Sequence, residues 1–232
     1  MSEATAPGNW RTRWSRPLGR FLDHAIYRTS VAGKANIPTA GPVIFAANHL
    51  SYLDGPVLVG ASPRYMHVLV RHDMFKGFLG WVLKASGQIP VDRSGDRAAL
   101  QTAKAVLERG GCIGILPEGT RGSGDAATMN SGVAWLALNS GAPVVPVAIL
   151  GTRLPGEHRD TIPRPGRRFH VEFGPALTIT RQPGVSGRVS MDRAAEQIRL
   201  RLQAHIAAAS RRTGQQLPAA DDLTNQHEGK QP

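Results

Sequence analysis

Cysteine is almost absent from this sequence: one of the 232 residues, Cys112, is a cysteine. A single cysteine excludes an intrachain disulfide and any metal site built from several thiolates. Cys112 lies in an apolar run that ends at Leu116, so a buried structural thiol explains it better than a nucleophile. The eight histidines show no metal-ligand spacing either, and no bound metal ion is expected.

Long apolar runs are also missing. The longest, from Ala142 to Leu150, contains two prolines and falls far short of the roughly 18–20 residues that a membrane-spanning helix needs. The N-terminus lacks the apolar core of a signal peptide. We therefore expect a cytoplasmic protein, which can still bind one face of a membrane.

Acidic residues are also few relative to basic ones. The chain has 17 Asp and Glu against 28 Lys and Arg, which gives a net charge of +11. Such an excess favours polyanions: anionic lipid headgroups, nucleic acid or phosphorylated substrates. Nucleic acid is the least supported of these, because there is no helix-turn-helix pattern, zinc-finger spacing or aromatic sheet motif.

What the sequence does have is an alternation of strand-like and helix-like segments. Short apolar runs predict strands, and apolar residues at helical spacing predict helices. The predicted strands are 42–47, 66–70, 88–91, 112–116, 144–150 and 168–173, and the predicted helices are 54–59, 75–86, 97–109, 132–139 and 190–210. This order predicts an α/β fold, a single layered domain with a largely parallel central sheet flanked by helices.

An amphipathic helix is predicted before this domain. From Trp10 to about Tyr27, tryptophans and other apolar residues share one side of the helix, and arginines share the other. This profile is typical of a helix that lies in a membrane surface, and a helix that covers the core is the alternative. We therefore divide the chain into a leader with this helix (1–29), the main domain (30–212) and a polar, disordered tail (213–232).

A histidine and an aspartate five residues apart are the first candidates for chemistry. His49 and Asp54 lie in the segment 48–54 (NHLSYLD), directly after a predicted strand. An imidazole can take a proton from a hydroxyl, and a carboxylate on its other nitrogen fixes the tautomer and stabilises the imidazolium. The spacing alone carries little weight, because eight histidines and ten aspartates in 232 residues give about a third of one such pair by chance.

A second candidate segment, PEGTR at 117–121, follows another predicted strand. Gly119 lets backbone N–H groups approach an anion, Thr120 adds a hydroxyl, and Arg121 offers a fork suited to phosphate. Glu118 could position substrate hydroxyls or hold Arg121. A plain turn with a solvated arginine is the competing interpretation.

Two further segments complete the pattern. Residues 87–93 (GQIPVDR) predict a strand that ends in a charged pair, where Arg93 either adds a cation to a phosphate site or pairs with Asp92. Residues 142–147 (APVVPV) predict an apolar wall or an edge strand, because proline cannot donate to a ladder.

Taken in order, these four segments resemble the lysophosphatidic acid (1-acyl-glycerol-3-phosphate) acyltransferase family, within the wider glycerolipid acyltransferases. The family's first block, Asn-His-x-Ser-x-x-Asp, matches residues 48–54, and its third, Pro-Glu-Gly-Thr-Arg, matches residues 117–121 in full. The second and fourth blocks resemble residues 90–93 and 145–147. The first and third blocks, in this order and separation, form a strongly specific signature.

The resemblance implies an acyltransferase domain at 30–212 that moves a fatty acyl group from acyl-CoA or acyl-carrier protein to the hydroxyl of 1-acyl-glycerol-3-phosphate. The product would be phosphatidic acid, and no cofactor beyond the acyl donor is implied. His49 would be the general base, oriented by Asp54. The implied substrate-binding residues are Asn48, Ser51, Arg71, Arg93, Glu118, Gly119, Thr120 and Arg121. The expected partners are a lysophospholipid acceptor, the acyl donor and an anionic membrane surface, with the protein peripheral on the cytoplasmic side of the cell membrane.

The sequence departs from the family pattern in two places. Arg71 stands where the family often has a lysine, which keeps the charge but replaces a point charge with a fork. Residues 129–132 (MNSG) lack the lysine that is common after the third block. Both departures concern the acceptor headgroup. Another lysophospholipid, glycerol-3-phosphate or a glycolipid therefore stays open as acceptor, as does a non-catalytic lipid-binding homologue.

Overall fold

Strands and helices alternate along the chain in the computed structural model, which describes residues 6–92, 97–118 and 123–218. The strands are β1 Arg28–Ala32, β2 Val43–Ala47, β3 His67–Arg71, β4 Ile89–Val91, β5 Cys112–Ile115, β6 Val144–Leu150 and β7 Arg168–Phe173. The α-helices are α1 Thr12–Phe21, α2 Asp54–Ala61, α3 Gly77–Ala85, α4 Arg97–Glu108, α5 Gly132–Ser140 and α6 Gly187–Thr213. A π-helix, Leu22–Ile26, continues α1, and short 3-10 turns lie at Asn9–Arg11, Lys34–Asn36 and His72–Met74. Among the helices of these described ranges, none combines the length and apolarity needed to cross a membrane.

The seven strands form one sheet in the order β1-β7-β6-β2-β5-β3-β4. Strands β6, β2, β5, β3 and β4 run parallel, β7 is antiparallel to β6, and β1 is parallel to β7. The prediction of a largely parallel central sheet in an α/β domain is confirmed. The five parallel strands end at the same side of the sheet, which we call the carboxyl edge.

Helices cover both faces of this sheet, and strand β2 is buried on both. Ile44 and Ala46 belong to a cluster with residues of α4, α5 and α6. Val43 and Phe45 point to the other face and pack with α2. This double burial explains why β2 is continuously apolar, as strands inside parallel sheets are. Cys112 is buried, as predicted, and burial raises its thiol pKa to about 11.

The two ends of the chain differ from the prediction. Strand β1 was not predicted, because its sequence RTSVA is mostly polar and it lies at the edge of the sheet, where Thr29 is its only fully buried residue. At the other end, Leu217 packs against the cluster that contains Leu202 and Ile206. Leu217 therefore lies on the core, and α6 extends to Thr213, although the sequence predicts disorder from 213. The remainder of the predicted tail, 219–232, lies outside the described residues.

Helix α1 packs on α2 through its small residues. A Cβ atom at Gly19 would lie 2.8 Å from the backbone nitrogen of Gly60, so the two helices touch backbone to backbone. Thr12 and Gly19 are the buried residues of α1. Its large apolar side chains are exposed instead: Trp10 by 68%, Trp14 by 37%, Leu18 by 51% and Phe21 by 59%. These four side chains therefore do not cover the core, whereas Leu22 and Ile26 of the following π-helix pack against it, so the predicted segment 10–27 combines both roles left open by the sequence.

A buried carboxyl group stands next to this contact. Asp23 lies in the π-helix and is fully buried, and its Oδ1 accepts a hydrogen bond from the Thr29 hydroxyl at 3.3 Å. No donor among the described residues reaches its Oδ2. Burial raises the Asp23 pKa from its usual value of 3.8 to about 7, with the Thr29 hydrogen bond acting in the opposite direction. The folded protein therefore holds a proton that the unfolded chain releases.

We expect Asp23→Asn to become more stable than the wild type as the pH rises. Between about pH 4 and pH 7 the folded state binds the extra proton, so the free energy of unfolding of the wild type falls with pH, and it levels off above. The asparagine carries no charge to desolvate. Thermal unfolding of both proteins at about pH 5 and about pH 8 measures this. A difference in Tm that is the same at both pH values would show that Asp23 does not titrate there.

Candidate active site

Asn48 fixes the point at which the chain leaves strand β2. Its Nδ2 donates to the Ile149 carbonyl at 2.9 Å, and its Oδ1 accepts from the Ile149 N–H at 2.7 Å. The side-chain amide thus continues the β2–β6 ladder by one position, and Asn48 is fully buried. The sequence predicts a substrate contact for Asn48, but the structure engages both amide atoms with backbone. We therefore assign Asn48 a positioning role for the next residue, His49.

His49 and Asp54 meet at the carboxyl edge. The His49 Nδ1 lies 2.9 Å from Asp54 Oδ2, and Asp54 is fully buried as the first residue of α2. The carboxylate oxygen is an acceptor, so the neutral imidazole carries its proton on Nδ1 and keeps a lone pair on Nε2. The His49 side chain is 21% exposed, which leaves the ring accessible to a substrate while its partner is shielded.

The loop between them explains the five-residue spacing. Asp54 Oδ2 also accepts from the Leu50 N–H at 2.6 Å and the Ser51 N–H at 2.7 Å, so the carboxylate holds the loop that carries His49. Ser51 is buried, and its hydroxyl accepts from the Leu53 N–H at 3.3 Å. The sequence predicts a substrate contact for Ser51, whereas the structure places its hydroxyl inside the loop. The segment is thus a turn that positions the His49 imidazole.

Thr152 is a member of the site that sequence reasoning missed. Its hydroxyl donates to Asp54 Oδ1 at 2.7 Å, so both oxygens of the carboxylate are engaged. Thr152 follows β6, the neighbour of β2 in the sheet, and is fully buried. A polar residue directly after a buried parallel strand was the available signal, because such residues gather at the carboxyl edge. The next residue, Arg153, is buried as well.

Glu118 holds the backbone of His49 from the other side. It follows β5, the second neighbour of β2, and its Oε1 accepts the His49 N–H at 3.1 Å. Burial raises the Glu118 pKa to about 7. The charges of Asp125 and Asp54 act in the same direction, and the hydrogen bond from the His49 N–H opposes them. The sequence predicts contacts with substrate hydroxyls or Arg121, and the backbone contact is an additional role.

Arg71 lies at the carboxyl edge, at the end of β3. Strand β3 is two positions from β2 in the sheet, which is about 10 Å at the usual strand spacing. The Arg71 guanidinium pairs with Asp73, with Nε donating to Oδ1 at 3.1 Å and Nη2 to Oδ2. A substrate phosphate would therefore have to share the Arg71 fork with Asp73.

The remaining predicted site residues lie outside the described residues: Arg93, Gly119, Thr120 and Arg121. Their roles stay predictions. Both β4 and β5 end at the carboxyl edge. In the sequence, Arg93 follows two residues after the end of β4 at Val91, and the segment 119–121 follows Glu118, which comes after β5. In the described ranges, no group of three or more His, Cys, Asp or Glu side chains is placed to hold a metal ion.

Comparison with known proteins identifies related sequences. The family model described as "Acyltransferase" matches residues 28–150, which include His49, Asp54 and Glu118. Two bacterial proteins named 1-acyl-sn-glycerol-3-phosphate acyltransferase are similar: one from Pseudomonas aeruginosa (36% identical over 126 residues) and one from Borreliella burgdorferi (34% over 127 residues). The chloroplastic 1-acyl-sn-glycerol-3-phosphate acyltransferase BAT2 of Brassica napus is 28% identical over 134 residues.

These alignments cover part of each protein. They include 52%, 53% and 56% of this chain and 49%, 51% and 39% of the respective relatives. The aligned region thus spans about half the length of the relatives or less. Among solved structures, the 1-acyl-sn-glycerophosphate (LPA) acyltransferase PlsC from Thermotoga maritima superposes with a TM-score of 0.65 at 20% identity. The match covers 86% of this chain and 79% of that one, which shows a shared fold.

Proposed function

This chain belongs to the acyltransferase family, and from that premise we propose that it moves a fatty acyl group from a thioester donor to the hydroxyl of 1-acyl-glycerol-3-phosphate. The product is phosphatidic acid, which places the reaction in phospholipid synthesis. The observation that carries the proposal is the contact of 2.9 Å between His49 Nδ1 and the buried carboxylate of Asp54. It leaves His49 Nε2 as a general base at an accessible position.

The reaction proceeds by direct transfer. His49 Nε2 takes the proton of the acceptor hydroxyl while the hydroxyl oxygen attacks the carbonyl carbon of the thioester. Asp54 stabilises the imidazolium that forms. The C–S bond then breaks, and the imidazolium returns its proton to the departing thiolate. An ester and a free thiol result, and no acyl-enzyme is required. General-base catalysis contributes about 10²–10⁴-fold, and positioning of the two substrates must supply much of the rest.

The acceptor phosphate would lie further along the carboxyl edge. The family resemblance implies that the segment 119–121 and Arg93 donate hydrogen bonds to this phosphate. The strands that precede them in the sequence are β5 and β4, and β3, which ends at Arg71, lies between these two strands in the sheet. Guanidinium forks suit a phosphate, and the net charge of +11 favours an anionic substrate. The names of the relatives support the same acceptor. Both acyl-CoA and acyl-carrier protein offer a thioester, so either can be the donor.

A second acceptor class is favoured by one observation. Arg71 is already paired with Asp73, and it replaces a lysine that is common in the family. This pairing weakens its attraction for a phosphate and would suit a less charged headgroup, such as a neutral lysophospholipid or a glycolipid.

A panel of acceptors, each mixed with one acyl-CoA and separately with one acyl-carrier-protein thioester, tests the proposal. The panel contains 1-acyl-glycerol-3-phosphate, glycerol-3-phosphate, a neutral lysophospholipid and a glycolipid, and product esters are measured by mass spectrometry. We expect the highest kcat/KM with 1-acyl-glycerol-3-phosphate. A higher value with a neutral acceptor would support the second class. Transfer to none of them, with either donor, would leave a non-catalytic lipid-binding protein.

We also propose that the protein is peripheral on an anionic membrane, at the cytoplasmic side of the cell membrane. The support is the exposed apolar side of α1, which carries Trp10, Trp14, Leu18 and Phe21. Arginines flank this side, and each one near an anionic leaflet contributes about 1 kcal/mol. A peripheral location would bring the carboxyl edge to an acceptor that is itself a membrane lipid.

A further inference from the structure

Helix α3 is apolar on all sides and yet lies on the surface. Its sequence, GFLGWVLKA, contains one polar side chain, Lys84, and its only fully buried residue is Gly80. Phe78 is 79% exposed, Trp81 64% and Leu79 47%. A helix that is apolar all round is normally buried in a protein core or a membrane. Large exposed apolar patches mark surfaces that bind something.

The rings of α3 are arranged as a pair. Phe78 and Trp81 stack with their ring centroids 6.0 Å apart, at an interplanar angle of 22°. Aromatic side chains, tryptophan above all, are enriched at the level of lipid headgroups, where an apolar ring and a polar N–H are both accommodated. The pair therefore presents to solvent the residue types that are found at a membrane interface.

This helix adjoins the apolar side of α1. The Trp14 indole N–H donates to the Ala85 carbonyl at 3.3 Å, and Arg11 Nη1 donates to the Lys84 carbonyl at 3.3 Å. The two helices are thus neighbours, and we call their exposed apolar side chains together the aromatic face. Its members are Trp10, Trp14, Leu18 and Phe21 of the α1 segment, and Phe78, Leu79 and Trp81 of α3.

The charged residues in the two segments that carry the aromatic face have one sign. Residues 6–22 and 74–91 contain no Asp or Glu. Their cations are Arg11, Arg13, Arg16, Arg20, Lys76 and Lys84. A second copy of the chain seated face to face would bring these like charges together, which is unfavourable. An anionic lipid leaflet accepts both the apolar side chains and the cations.

We infer that α3 is a second membrane-inserting element, which together with the apolar side of α1 docks the domain on an anionic lipid leaflet. Helix α3 follows β3, so its first turn, with Phe78, lies at the carboxyl edge that carries His49. Docking through both helices holds that edge at the leaflet. The inference rests on the proposed function for the identity of the acceptor lipid, whereas the lipid contact of α3 can be measured without turnover.

Fluorescence of Trp81 in the full chain tests the contact with native α3 side chains. The chain has four tryptophans, so Trp10→Phe, Trp14→Phe and Trp135→Phe leave Trp81 as the only one. The protein is mixed with vesicles of phosphatidylglycerol and phosphatidylcholine that carry bromine on the acyl chains. We expect a blue shift and strong quenching of Trp81. Vesicle-bound protein with unshifted, unquenched Trp81 emission would overturn the inference.

Vesicle co-sedimentation of surface variants gives the second readout. We expect Phe78→Ser/Leu79→Ser to weaken binding to the same vesicles by at least about tenfold, including at high salt, because lost apolar contact is not screened. Leu18→Ser/Phe21→Ser tests the α1 contact by itself. Ile162→Ser is the matched control, since Ile162 is 76% exposed and lies outside the aromatic face. Affinity of the α3 variant equal to that of this control would contradict the role of α3.

Two further outcomes separate this inference from its alternatives. Quenching of Trp81 by brominated lipid in a protein without acyl transfer would uphold the α3 contact and reject the proposed function. Acyl transfer with unquenched Trp81 would uphold the proposed function and reject the α3 contact. Sedimentation velocity addresses a second copy as the occupant. A dimer of the wild type that disappears in Phe78→Ser/Leu79→Ser, together with unchanged vesicle binding, would assign the aromatic face to self-association and overturn the lipid contact.

Discussion

Asp54→Asn should fold normally and lose most of its acyltransferase activity. The amide oxygen can occupy the position of Oδ2, where it accepts from the Leu50 and Ser51 N–H groups and from His49 Nδ1. The amide nitrogen then faces the Thr152 hydroxyl, which can rotate to accept. The loop and the His49 tautomer are thus retained, and what disappears is the negative charge beside the imidazolium.

The size of the effect follows from that charge. Asp54 is fully buried, so its attraction for the imidazolium is weakly screened. We expect kcat/KM to fall by about 10²–10⁴-fold, as is typical when a base loses its orienting carboxylate. Initial rates at saturating donor and varied acceptor measure kcat/KM, and a thermal melt of each protein shows whether the fold is retained. A variant that keeps more than half of the wild-type kcat/KM would mean that Asp54 only holds the loop.

Thr152→Val provides the graded comparison. It removes one neutral hydrogen bond to Asp54 Oδ1 and leaves the charge and the His49 contact in place. A neutral hydrogen bond is worth about 0.5–1.5 kcal/mol, so we expect a loss of about tenfold or less. An effect as large as that of Asp54→Asn would show that the orientation of the carboxylate matters more than its charge.

His49→Ala should remove nearly all acyl transfer while the protein keeps its fold. The substitution deletes the proposed base, and the backbone N–H of residue 49 can still donate to Glu118 Oε1. The side chain is accessible, so its loss leaves no closed cavity in the core. We expect a fall in kcat of about 10³-fold or more, with a smaller change in acceptor KM, because the ring acts mainly in the transition state.

The control for this variant is another histidine. His158 is 53% exposed and lies in a loop beyond β6, so His158→Ala should match the wild type in both rate and Tm. Equal activity of His49→Ala and His158→Ala would remove His49 from the mechanism. A large loss of Tm in His49→Ala alone would attribute the lost activity to folding.

The apolar pattern of the sequence was sufficient to predict six of the seven strands of the sheet. Strands β2, β6 and β7 are buried on one or both faces, and their apolar residues mark their limits to within one residue. Strand β1 was missed because it lies at the edge of the sheet, where a strand pairs on one side only and can be polar. Which side of α1 packs inward could not be read from hydrophobicity either. The contact is made by Gly19 and Gly60, and glycine pairs leave no apolar signal.

The candidate site was also predicted in part from local sequence, and the rest required the fold. The pair His49 and Asp54 was predicted from residue types and their order, and the structure brings the two within hydrogen-bond distance. The roles of Asn48 and Thr152 depend on β6 lying beside β2, which only the folded sheet supplies. Strand order is a long-range property, and local spacing does not contain it.

The formation of phosphatidic acid, coupled to release of the donor thiol, tests the central claim most directly. Purified protein is mixed with acyl-CoA, and separately with acyl-carrier protein that carries the same acyl group. Each mixture is prepared with and without 1-acyl-glycerol-3-phosphate, and thiol and lipid product are measured in the same samples. Direct transfer by His49 predicts thiol release that depends on the acceptor and equals the phosphatidic acid formed. Thiol release without acceptor, or none with either acyl-CoA or acyl-carrier protein as donor, would contradict it.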